Sequence, residues 1–166
     1  MKKGFFFICA ICAVMLLVSC SSKITPDDVS DFIKQQNIKP TKIISQKDYT
    51  FIFYRDSEAV GVFTLKGKKN SKFIFGRTAA PFTNPIFLGG LEKDLVAMVI
   101  NDDNLLNNSK YFVLHKNDAA EKFAVSRVDR EYVIHSPLIN SSYDFYITFI
   151  DGNGNELFTY GNKGRE

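Results

Sequence analysis

The hydrophobic positions of this chain fall into three regimes. From Phe5 to Val18 they run without a break, with Lys2 and Lys3 on one side and Ser19 on the other. From Val29 to Ile33 they recur at helical spacing. Beyond Pro40 they gather into short clusters of Phe, Tyr, Val and Ile, broken by Asp, Asn and Gly.

The middle regime predicts one short helix. Thr25 stands where an N-cap side chain accepts from the first turn. Pro26 fits the first helical position, where its missing N–H costs nothing, and Asp27 and Asp28 complement the positive end of the dipole. Val29, Phe32 and Ile33 share one face. Asn37 and then Pro40 end the helix.

The third regime predicts strands at 42–45, 49–54, 60–65, 72–75, 95–100, 111–115, 122–126, 131–135, 145–150 and 157–160. About ten short strands with frequent turn signals make the fold class mainly β: an antiparallel β-sandwich or barrel-like domain with one short N-terminal helix. Strands 49–54 and 95–100 are apolar on both alternating faces, which places them centrally, covered from two sides. Within 91–100, Leu91, Leu95 and Met98 also match a helix, but Val96, Val99 and Ile100 favour strand.

Three stretches share a pattern of apolar strand, Asp-containing turn and second aromatic strand: 51–65 around Asp56, 96–114 around Asp102-Asp103, and 145–160 around Asp151. Their spacing touches that of propeller blades, but three units are too few to close a propeller, so they read as hairpins of one sheet system. Segment 78–90 carries Pro81, Pro85 and Gly89-Gly90 and predicts a long connection inside one domain, since either half alone would bury little.

The first regime is too short for a comfortable membrane span, which needs about 20 apolar residues, and matches a signal-peptide core of about 7–15. It ends in Leu17-Val18-Ser19-Cys20, followed by the polar Ser21-Ser22-Lys23. This tetrapeptide resembles the lipobox of bacterial lipoproteins: an aliphatic residue, a permissive one, a small one, then Cys. The resemblance covers residues 1–22 only, and no family is recognised for the rest.

The resemblance implies a signal peptide over 1–19, removed before Cys20, with a diacylglycerol on the Cys20 thiol and often a further acyl chain, such as palmitate, on its amino group. Residues 20–24 then form a lipidated spacer, and 25–166 a single β-rich domain. The domain would sit on the extracytoplasmic side of the bacterial cell membrane, or on an outer membrane if the organism has one. Two or three acyl chains anchor stably where one is marginal. Cys9 and Cys12 form a C-x-x-C inside the signal, with no βαβ pattern to support a redox reading. Cys20 is then the sole mature cysteine, so the domain coheres by burial without disulfides.

Composition fits that picture. The chain has 16 Phe and 7 Tyr but no Trp, enough aromatic mass for a core and a bias toward strands. Of the formal net charge of +3, Lys2 and Lys3 supply two, so the mature part is near neutral. Nothing there supports a nucleic-acid partner, which calls for a clearly basic domain.

Candidate chemistry is sparse. Asp151-Gly152-Asn153-Gly154-Asn155 resembles the start of a calcium loop, but an EF-hand needs Gly sixth and Glu twelfth, where this chain has Glu156 and Asn162. It reads as a Gly/Asn hairpin turn. His115 and His135 have no ligand partner at metal spacing and read as edge residues. No nucleophile-elbow, zincin or phosphate-loop motif occurs, and no cofactor or metal is predicted. Asp102, Asp103, Asp129, Glu131 and Asp144 could act as acid and base only if the fold gathers them. Lys66-Gly67-Lys68-Lys69-Asn70-Ser71-Lys72 is a dense basic patch, able to rest on lipid headgroups but composed as a solvated hairpin tip.

The expected function is a membrane-anchored, non-enzymatic binding or accessory module of the cell envelope. Its partners would be the membrane, through lipidated Cys20, and a further envelope protein. Two alternatives remain: a small envelope hydrolase with converging carboxylates, and a structural subunit that lends an edge strand, with the last two strands near Tyr160 as the candidate edge.

Overall fold

The computed structural model describes residues 23–69, 71–140 and 142–161. Helix α1 runs Pro26–Gln36. It starts in a capping box: the Asp28 N–H donates to Thr25 Oγ1 at 3.2 Å, and the Thr25 N–H donates to Asp28 Oδ2 at 2.9 Å. It stops at Asn37, whose left-handed backbone (φ 50°) returns its N–H to the Ile33 and Lys34 carbonyls.

The described strands form three antiparallel sheets. The first is a meander of β1 (Pro40–Gln46), β2 (Tyr49–Arg55), β3 (Ala59–Lys69) and β4 (Lys72–Pro81), paired in that order. The middle sheet is β5 (Ile86–Glu92), β6 (Leu95–Ile100) and β9 (Glu131–His135), in the order β5-β6-β9. The outer sheet joins β7 (Tyr111–Lys116), β8 (Ala119–Ala124), β10 (Tyr146–Ile150) and β11 (Glu156–Tyr160) in the order β11-β10-β7-β8. The domain is thus mainly β and antiparallel, with the short helix at its N-terminal end, as the hydrophobic pattern predicts.

Alternation along the strands stacks these elements. Ile52 and Tyr54 of β2 point with Phe63 and Leu65 of β3 toward Phe32 of α1. Phe51 and Phe53 point the other way, meeting Val60, Val62, Phe87, Leu95, Ala97 and Val99 between the first and middle sheets. Val96, Met98 and Ile100 of β6 face a third cluster with Phe112, Leu114, Ile147 and Phe149 of the outer sheet. All six residues of β6 are buried. Strands 49–54 and 95–100 therefore hold the central places that their two-sided apolar pattern requires.

Three sequence expectations are corrected. Segment 78–90 is not a long connection: β4 runs to Pro81 and β5 begins at Ile86. Its glycines mark close packing rather than a linker. A Cβ on Gly89 would stand 2.5 Å from the Phe87 ring, and one on Gly90 (φ +58°) 2.5 Å from Thr64 Oγ1. A β-bulge falls between Gly89 and Glu92. Asp102-Asp103 does not sit in a hairpin turn either. Asp102 caps a second helix, α2 (Asp103–Asn108), through the Leu105 N–H at 2.6 Å, and α2 carries the chain from the middle sheet to the outer one. Stretch 96–114 is therefore a crossover, whereas β2–β3 and β10–β11 are hairpins in separate sheets.

Candidate functional site

The acids and histidines that the sequence offers for chemistry lie among the described residues. Asp151 Oδ1 accepts from the Asn153 and Asn155 N–H groups, both at 2.8 Å, and Oδ2 from Asn155 Nδ2 at 3.0 Å. Those bonds, from Asn155 first, hold its pKa below the usual carboxylate value. The loop is a side-chain-stapled hairpin turn whose carboxylate is spent on its own backbone.

The other acids are dispersed. Asp103 pairs with Arg130, Asp129 with Lys42 at 2.6 Å, and Asp144 with Lys116 at 2.9 Å. In each case the hydrogen bond from that cation is the main cause of a lowered pKa. A general acid at neutral pH needs the opposite shift. The Glu131 carbonyl accepts from Lys42 at 3.2 Å, tying β1 to β9. His135 Nε2 lies 3.4 Å from Asp94, which also holds Lys47. His115 stacks on Tyr146, its neighbour across β7 and β10, with centroids 4.4 Å apart. Among the described residues no three His, Cys, Asp or Glu side chains are placed to hold a metal ion together.

The lysine patch is the tip of the β3–β4 hairpin. Lys66 pairs with Glu92 at 2.8 Å, and Lys68 pairs with Asp28 of α1 while lying 4.6 Å from the Phe73 ring centre. Two of its lysines therefore tie the hairpin to β5 and to the helix.

One arrangement escaped the sequence reading. Helix α1 covers only part of the first sheet and stops at Asn37, leaving a cleft of about 420 Å³ beyond its end, lined by Lys39, Tyr54, Asp56, Phe63 and Arg77 among others. Tyr54 lies opposite Gly61 in the β2–β3 ladder. Its ring crosses Gly61 so closely that a Cβ there would stand 2.5 Å from Tyr54 Cζ. Arg77 donates Nε–H to Tyr54 Oη at 2.8 Å and lies 5.4 and 5.5 Å from the Tyr54 and Phe63 ring centres. Arg77 is thus held by a hydroxyl and two rings, and its charge adds to the backbone bonds that keep the Asp56 carboxyl in the same cleft below its usual pKa. Asp56 at the rim is taken by the Glu58 and Ala59 N–H groups at 2.9 and 2.7 Å. The signal for this cleft is cross-strand register, which Tyr54, Gly61 and Arg77 do not reveal by spacing alone.

Comparison with protein-family models, curated proteins and solved structures finds no match to this chain. Cys20 and the apolar run before it lie outside the described residues. Among the described residues no helix is long and apolar enough to cross a membrane.

Proposed function

We propose that this chain is a lipid-anchored binding or accessory module of the bacterial cell envelope, held at the membrane through Cys20. The observation that carries the reading is Leu17-Val18-Ser19-Cys20 at the end of a positively led apolar run too short to span. The engagement of Asp103, Asp129 and Asp144 with cations supports binding over carboxylate hydrolysis, because ion-paired carboxylates with lowered pKa values make poor proton donors. The test is metabolic labelling with a fatty-acid analogue. The natural chain takes up label and fractionates with membranes, and Cys20→Ser loses both. Label persisting on Cys20→Ser removes the anchor.

A further inference from the structure

Among the described residues each sheet ends in strands paired on one side only, and most of these edges are short, charged or crossed. β9 and β11 have five residues each, and β8 carries Glu121 and Lys122. β5 is interrupted by its bulge, and the edge of β1 is bridged to 129–131 by Lys42. β4 differs. It runs ten residues, pairs only with β3 among the described strands, and has just Lys72 and Arg77 as charges. Ile74 and Phe75, on its two faces, are 38% and 42% exposed. Long, weakly charged edges invite another strand, because their backbone N–H and C=O groups lack partners.

We propose that β4 is a homodimer edge, pairing antiparallel with β4 of a second copy to join two four-stranded sheets into one of eight strands. Three features of the fold favour a second copy over an unrelated partner strand. Antiparallel pairing of identical strands makes a closed two-fold contact that leaves neither β4 open. The charges agree with it. Registers centred on Phe75 or Gly76 set Arg77 opposite Phe73 or Phe75 of the second copy, repeating the Arg77–Phe63 contact within one chain. Neither register brings like charges face to face. A register centred on Arg77 would oppose two guanidinium groups and is disfavoured.

The third feature is direction. The two-fold axis of such a pair stands perpendicular to the sheet, so both α1 helices lie on one face of the joined sheet. The chain enters α1 from Lys23, and Cys20 lies three residues earlier, within roughly 10–11 Å when fully extended. Both chains then enter α1 on the same face, an arrangement compatible with two copies anchored in one membrane leaflet. This third argument rests on the lipid-anchor reading; the first two do not.

Sedimentation velocity on the full chain in detergent micelles, across a concentration series, reads the association whether or not Cys20 is acylated, and fatty-acid labelling reports the anchor separately. The expected result is a dimer whose dissociation constant rises at least tenfold in Ile74→Lys, with an unchanged far-UV circular dichroism spectrum. Leu157→Lys, on the exposed β11, leaves it unchanged. Because Ile74→Lys also touches packing, Gly76→Cys gives a second readout: nothing lies within 4 Å of a Cβ built there. With Cys9, Cys12 and Cys20 replaced by Ser, a short thiol crosslinker should trap Gly76→Cys as a dimer and leave Leu157→Cys monomeric. A natural chain that stays monomeric throughout overturns the proposal, as does a dimer that Ile74→Lys leaves intact and Gly76→Cys fails to trap.

Discussion

At the scale of single residues, the Asp151 turn separates two glycines that look alike in sequence. Gly154 has φ +92°, where an L side chain is strained, whereas Gly152 is not among the positive-φ glycines and has open space around it. Gly154→Val is expected to lower stability by about 1 kcal/mol or more, and Gly152→Val to change it little, in urea denaturation. Asp151→Asn keeps a side-chain acceptor for the Asn153 and Asn155 N–H groups and should cost less than Gly154→Val. A calcium-dependent rise in melting temperature that Asp151→Asn removes would reverse this reading of the loop.

At the scale of elements, α1 is fastened to the first sheet at two levels. Phe32, fully buried, makes edge-on contacts with Phe63, Phe73 and Phe75, with centroids 4.9–5.5 Å apart. At the helix start, Asp28 takes the Lys68 ammonium and the Thr25 N–H, and these bonds, Lys68 first, lower its pKa from 3.8 to about 2. The unfolded chain therefore takes up this proton before the folded one. The contribution is complete above pH about 4 and is lost as pH falls through about 2. Asp28→Asn should flatten that part of an acid titration followed by helical circular dichroism. An unchanged acid profile would remove the Asp28–Lys68 bond as a fastener of α1.

At the scale of the whole molecule, β6 holds the layers together. Leu95, Ala97 and Val99 belong to the core against the first sheet, and Val96, Met98 and Ile100 to the core against the outer one. Perturbing either core therefore loosens a strand that both share. Residues 25–166 are expected to unfold in a single transition. Phe53→Ala and Met98→Ala, in different cores, should each move that same transition, lowering the unfolding free energy by about 2–5 kcal/mol. Two separated transitions, with one variant moving only one of them, would divide the chain into smaller units.

The sequence alone determined the helix, its cap and stop, the mainly β class and the two-sided burial of strands 49–54 and 95–100. These follow from periodicity, which is local: period 3.6 or 2 and the chemistry of Thr25, Pro26 and Asn37 act over a few residues. It misread 78–90 because β4 is an exposed edge with little apolar alternation, and because the glycines of β5 answer to neighbours on another sheet. It took Asp102-Asp103 for a turn because a six-residue helix is too short to show a period. The Tyr54–Gly61–Arg77 arrangement, the pairing of Asp103, Asp129 and Asp144 with their cations and the place of β4 at the edge of the described first sheet were decided only by tertiary structure. Each depends on which strands lie side by side and in what register, and register is set by the burial of a whole face rather than by any one residue in it.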